Sequence, residues 1–266
     1  MVSWHILAES VLGASHIRSN LPNQDAVAYY QPVEGELPLI VAVADGHGNA
    51  LCTHSHLGAK FAVQVAIESV KTVLIDSHDL SLSQTLTLTE ALPKTISRSW
   101  YNKVDCYIND NPEAALNNSE YLPFGTTLLV VCILKDCILY WQIGDGDIAI
   151  INEDNSIISP IPYDERLLGN DTTSLCNNNA WEDFRYAFLP LINTVPKAIF
   201  LVSDGYKNSF KYSEGFHQAL SDINDFIHTE SAVWVKQELA GWLDEASQLG
   251  SGDDITLAII YSSDGQ

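Results

Sequence analysis

Aspartates stand at the ends of apolar runs four times in this chain: VAVADGHG at Asp45, WQIGDGD at Asp145, FLVSDGY at Asp204, and GSGDDITLAII at Asp253 and Asp254. A strand holds a side chain at its end more accurately than a loop does. A glycine after the aspartate lets the backbone turn so sharply that its own carbonyl can face the same ligand. Oxygen donors collected from several strand ends suit Mg2+ or Mn2+, hard cations that select carboxylate, carbonyl and water over thiolate or imidazole. One Asp-Gly is more often a turn; its recurrence after apolar strands points to a metal centre. A softer set, His47, Cys52, His54 and His56 in HGNALCTHSH, is only half of a zinc pattern, because structural zinc sites pair their ligands at C-x2-4-C or H-x3-5-H spacing. His54 and His56 are expected to sit exposed ahead of a helix that starts near Leu57.

Acidic residues outnumber basic ones 34 to 13, for a formal charge of -21. That balance argues against a nucleic-acid groove, a nuclease or an anionic membrane surface. Most of the excess reads as a solvated acidic surface, and a divalent cation is the compact way to hold the rest together. Apolar residues make up 46% and charged residues 18% of the 266, a composition that supports a buried core without disulfides. The five cysteines are odd in number and lack CxxC pairing, which suits reduced thiols in a cytoplasm. The opening residues lack the basic flank and long apolar segment of a signal peptide, and no apolar run reaches the ~20 residues of a membrane span. The expectation is a cytoplasmic monomer, one domain over residues 1–266, with no internal repeat.

Positioning the aspartates falls to the elements around them. WHILAESVLGASH reads as a strand leading into a glycine-containing turn, AVAYYQ (26–31) as its neighbour, and LPLIVAVAD as a third strand. Leu57 to about Ile75 has helical spacing, and Leu82 to Tyr107 is a second helical stretch, interrupted or restarted near Pro93. TTLLVVCIL, CILYWQI and DIAIIN predict an antiparallel meander. Residues 160–183 form an irregular insertion of the kind that often carries function. FRYAFLPL and AIFLVSD are strands, 210–249 is helical with Gly250 at its end, and ITLAIIYS is the last strand. Trp100, Trp141, Trp234 and Trp242 are expected in the core, whereas Trp181 lies in the insertion. Grouped strands and paired helices favour layered α+β packing over a parallel sheet.

The set NQDA (23–26), VADGHG (43–48), GTT (125–127), IGDGD (143–147), VSDG (202–205) and GDDIT (252–256) resembles, in order and over nearly the whole chain, the metal-dependent phosphatases of the protein phosphatase 2C family. The GASH…PNQDA opening and the NDTTSL stretch resemble a bacterial branch of it. The resemblance implies an α-β-β-α sandwich of two antiparallel sheets, with helix pairs at roughly 57–107 and 210–249 outside. It implies a serine/threonine protein phosphatase that uses water activated by two Mg2+ or Mn2+ ions. Asp45 would bind both ions, the Gly46 carbonyl would join one, and Asp204 and Asp253 would hold the other. Asp25 would act through bound water and Asp145 would serve a third, weaker ion. Asp254 stands where the family usually has Asn, leaving a register ambiguity with Asp253. His47 carries over as the general acid for the departing alkoxide, against a plainer reading as a ligand or a hydrogen-bonded turn residue. Arg18 is either the phosphate clamp or a surface charge, since RSNLPNQD holds two more residues than the family's spacing. The insertion would be a flap bordering the cleft. Implied partners are phosphorylated proteins, substrates of a serine/threonine kinase. The competing reading is a pseudophosphatase that binds phosphoprotein without turnover.

Overall fold

A computed structural model describes residues 2–75, 80–115, 119–166, 172–192 and 195–264. The chain runs β1 (Val2–Val11), α1 (Ala14–Ser19), β2 (Ala26–Tyr30), β3 (Leu39–Ala44), α2 (Ser55–Val70), α3 (Leu82–Asp110), β4 (Leu128–Ile133), β5 (Cys137–Ile143), β6 (Asp147–Ile151), β7 (Ile157–Ile158), β8 (Arg185–Pro190), β9 (Ala198–Val202), α4 (Asp204–Lys207), α5 (Ser213–Thr229), α6 (Ala232–Leu249) and β10 (Ile255–Asp264). Two antiparallel sheets result, ordered β1-β10-β9-β6-β7 and β2-β3-β4-β5-β8.

Side chains alternate across a strand, so a strand that is apolar at every position needs a cover on both faces. β3 shows the consequence. Leu39, Val41 and Val43 point into the layer between the sheets, where they meet Leu129, Val131, Ile199, Leu201 and Ile260. Ile40, Ala42 and Ala44 point outward beneath α2 and α3, with Ala62, Ala66, Ile96 and Trp100. The other sheet alternates likewise, setting Phe200, Val202, Leu257 and Ile259 under Leu220, Ile223, Leu239 and Leu243 of α5 and α6. Helix pair, sheet, sheet, helix pair is the expected sandwich. Trp100 and Trp141 are buried, and Trp234 and Trp242 pack on the α5–α6 core. Trp181 stays 37% exposed, with Lys94 Nζ 4.8 Å from its ring centre. Among the described residues, no helix is long and apolar enough to cross a membrane.

Four expectations need correction. β1 and β2 are not neighbours: β1 pairs along its length with β10, β2 pairs with β3, and α1 carries the chain between the sheets where a turn was expected. The meander stops after two strands. Gly144, at φ +97, turns the chain out of β5, and β6 pairs with β9 and β7 in the other sheet; such a φ is readily adopted by glycine. Pro93 does not interrupt α3. Proline leaves the carbonyl four residues earlier without its helical donor, at a cost of about 3 kcal/mol in a helix interior, but Trp141 Nε1–H donates to that Thr89 carbonyl at 3.0 Å. Finally, His54 and His56 are half-buried rather than exposed, the His54 ring 5.3 Å from that of Phe124, because α2 begins at Ser55.

Candidate metal centre

Strand register gathers the aspartates. Ala26 pairs with Ala44, so Asp25 and Asp45 leave the β2–β3 edge together. In the other sheet Val202 lies opposite both Leu257 and Asp147, which draws Asp204, Asp253 and Asp145 to one end. Asp45, Asp145, Asp204 and Asp253 line a cleft of about 1330 Å³, with Gly46 and His47 beside them. Asp25 lies behind the lining, 5% exposed, and its Oδ2 has no hydrogen-bond partner. Asp145 occupies the turn by which the chain changes sheets.

Backbone contacts hold this constellation in place. The GTT threonines fix Asp45: Asp45 N–H donates to Thr127 Oγ1 at 3.1 Å, while Thr126 Oγ1–H and Thr127 N–H both donate to the Asp45 carbonyl at 2.8 Å. Gly46 N–H donates to the Gln24 carbonyl at 3.1 Å, and a Cβ on Gly46 would lie 2.6 Å from that oxygen. His47 N–H donates to the Gly125 carbonyl at 3.0 Å, with its ring so close that a Cβ on Gly125 would stand 2.7 Å from Cδ2. Asp204 opens α4 and accepts from Asn208 Nδ2 at 3.0 Å. Asp253 accepts from Asp254 N–H at 2.9 Å, and its side chain is 54% exposed.

The electrostatics of this end are those of a site that lacks enough positive charge. Burial pushes Asp25 up to about 8, helped by Asp254 and Asp253 and opposed by the hydroxyls of Ser203 and Thr256. Burial also raises Asp45 well above the carboxylate range, with Asp25, Asp204 and Asp253 adding repulsion. Asp204 is raised chiefly by burial, then by Asp145 and Asp253, against hydrogen bonds from Asp45 and Asn208. Among the described residues, no lysine or arginine forms an ion pair with Asp25, Asp45, Asp204 or Asp253. An orphaned buried carboxylate oxygen and an all-oxygen donor set fit hard divalent cations. His47 is lowered by burial, with Asp145 pulling it back up.

Other residues fall differently. Arg18 is exposed on α1, its Nη2 near Gly252, and it is not among the residues lining the cleft. The helix explains this: α1 turns Ser15 and His16 toward the 252–254 loop and leaves Arg18 outside. The cationic side chains that line the cleft are Arg185 and Lys207. Arg185 donates to the Gly144 carbonyl at 2.8 Å and the Pro162 carbonyl at 2.9 Å. Lys207 pairs with Asp147 at 2.8 Å. Sequence reasoning missed both. Arg185 begins an ordinary strand, and Lys207 reaches the cleft only because α4 places it one turn after Asp204. The insertion borders the cleft through Tyr163, Thr172, Ser174, Cys176 and Asn177, whereas Trp181 is not part of the lining; Asn170 and Asp171 of NDTTSL fall outside the described residues. His47, Cys52, His54 and His56, the half zinc pattern, do not come together as a ligand group. Among the described residues, the group of three ligand atoms close enough to share an ion is His16, Asp253 and Asp254.

Comparisons with known proteins agree with this fold. The chain matches the family Protein phosphatase 2C over residues 12–244, and a search of curated proteins finds no match. Among solved structures it is similar to the catalytic domain of the serine/threonine protein phosphatase PstP in complex with two manganese ions, at 16% identity and TM-score 0.58, covering 99% of this chain and 100% of that one. It is similar to the serine/threonine phosphatase Stp1 from Staphylococcus aureus, at 16% identity and TM-score 0.64, covering 98% and 95%. A third is the S. agalactiae serine/threonine phosphatase, at 20% identity and TM-score 0.62, covering 97% and 99%. With the family match covering residues 12–244 of the 266, the chain belongs to the protein phosphatase 2C family.

Proposed function

We propose that this chain is a Mg2+- or Mn2+-dependent phosphatase that removes phosphate from phosphoserine and phosphothreonine in proteins, and that its substrates are made by a serine/threonine kinase. The observation that carries the reading is the convergence of Asp25, Asp45, Asp204 and Asp253, buried or crowded together and, among the described residues, paired with no lysine or arginine. Asp45, the Gly46 carbonyl, Asp204 and Asp253 would hold two cations, with Asp25 behind them acting through water and Asp145 serving a third. When bound, two such cations supply a water activated for attack and offset charge on the phosphoryl oxygens.

The rest of the work belongs to the chain. Gly46 and the GTT threonines hold Asp45 rigidly, so little reorganisation is needed on binding. His47, pinned by Gly125, faces the same cleft and is placed to give a proton to the departing alkoxide, a poor leaving group without an acid. Arg185 is the guanidinium on the cleft wall and the better candidate than Arg18 for meeting phosphate oxygens.

Phosphate release from a phosphothreonine peptide in Mn2+ tests the reading. It should vanish with EDTA and fall at least a hundredfold in Asp204→Asn. Turnover that survives complete metal removal would refute it.

A further inference from the structure

The GASH segment, residues 13–16, has no part in the scheme above, yet its residues hold the loop that carries Asp253, Ala14 through Ser247 of α6 and the others directly. Gly13 N–H donates to Asp254 Oδ1 at 2.6 Å, and a Cβ there would overlap the Asp253 carbonyl carbon. Ala14 N–H donates to Ser247 Oγ at 3.0 Å, and that hydroxyl donates to the Asp253 carbonyl at 2.8 Å. Ser15 meets the Gly252 carbonyl with both its N–H, at 2.8 Å, and its Oγ, at 2.6 Å. His16 Nδ1 stands 2.9 Å from Asp254 Oδ2, with Nε2 3.9 Å from Asp253 Oδ1.

Asp254 is the junction. Its Oδ2 also accepts from Gln24 N–H at 2.6 Å, the residue before Asp25. Its backbone presses on Gly205, the residue after Asp204, where a Cβ would overlap the Asp254 carbonyl oxygen. Its own N–H donates to Asp253 Oδ1 at 2.9 Å. One residue that is 2% exposed thus touches the chain beside three of the aspartates proposed to hold cations.

This geometry requires a carboxylate at 254. Oδ1 faces the N–H of Gly13 and Oδ2 faces the N–H of Gln24, so an asparagine in either orientation would set its NH2 against a backbone donor. A carboxylate accepts at both oxygens, and Nδ1 of His16 is then the donor that completes it. The replacement of the family's usual Asn by Asp and the histidine of GASH are two halves of one device.

We propose that His16 and Asp254 form a single positioning unit that sets the spacing of Asp25, Asp204 and Asp253, and so the affinity of the site for divalent cations. The proposal rests on the reading that these aspartates bind metal. Outer partners that orient ligands typically control affinity by about 10- to 100-fold.

The test is calorimetric titration of the metal-free protein with Mn2+, for the wild type, Asp254→Asn, His16→Leu, His16→Asn, the double variant His16→Leu with Asp254→Asn, and Val235→Ala. Val235, buried in α6, is a control for lost stability alone. Asp254→Asn and His16→Leu should each weaken Mn2+ binding by about tenfold or more. The double variant should lose no more than the worse single variant, because both changes break one unit. His16→Asn, whose amide N–H lies near the Nδ1 position, should recover most of the affinity. Val235→Ala should lower the melting temperature and leave the Mn2+ affinity within about twofold. If Asp254→Asn does not fold, the two His16 variants decide. A wild type that binds no Mn2+ overturns the metal reading and this inference together. Normal wild-type binding with His16→Leu and Asp254→Asn within about twofold of it overturns the positioning unit alone, as does an equal loss of affinity in Val235→Ala.

Discussion

At the scale of single residues, burial raises the pKa of Asp25, Asp45 and Asp204 when no cation is bound. Burial pushes Asp25 up to about 8 in the folded chain from about 3.9 when unfolded, so between those values the folded state holds the extra proton. The contribution of Asp25 to the stability of the metal-free protein is therefore present at low pH and lost as pH rises from about 4 to about 8, and Asp45 pushes the same way. Cations replace those protons, so Mn2+ affinity should rise over the same window with protons released. Melting curves from pH 5 to pH 8.5, with and without Mn2+, check this; a metal-free melting temperature that climbs with pH would contradict it. His47 makes a separate expectation. A general acid matters most for a poor leaving group, so His47→Ala should slow phosphothreonine peptide hydrolysis by about a hundredfold or more, and an activated aryl phosphate far less. Equal losses on both would remove the acid role. Arg185→Ala should raise KM for the peptide more than Arg18→Ala does, and the reverse order would restore Arg18 as the clamp.

At the scale of elements, what was legible followed local pattern, and what was not depended on partners distant in the chain. Apolar runs ending in Asp-Gly marked the ends of β3 and β9 because burial and turn chemistry both act within a few residues. No local signal in DIAIIN tells that β6 joins β9 rather than β5; that choice lies in the Gly144 turn and in the pairing of Asp147 with Val202. Pro93 was misleading for the same reason, since its missing hydrogen bond is made good from β5 by Trp141, far away in sequence. His16 and Asp254 are separated by nearly the whole chain, so their hydrogen bond was invisible until the fold was known. The Pro93 explanation has a measurable consequence. Trp141→Phe keeps the aromatic bulk but leaves the Thr89 carbonyl unpaired in the core, which should cost about 1–3 kcal/mol by denaturant unfolding. No measurable change would mean that α3 tolerates Pro93 on other grounds.

At the scale of the molecule, a sandwich of apolar sheets carries its chemistry at one end, where strands stop and polar loops begin. The cleft there is lined by Asp45, Asp145, Asp147, Asp204 and Asp253 against Arg185 and Lys207, in a chain of net charge -21. Such a field attracts cations and positively charged peptide flanks. Phosphopeptides flanked by Lys or Arg should show a higher kcat/KM than those flanked by Asp or Glu, with the gap narrowing as salt screens it; a preference for acidic flanks would contradict this. All of it depends on metal at the strand ends, and anomalous diffraction at the manganese edge from a Mn2+-soaked crystal tests that most directly. The account predicts two peaks among Asp45, Gly46, Asp204 and Asp253. A map with no peak there, or with manganese held only by His16, Asp253 and Asp254, would contradict it.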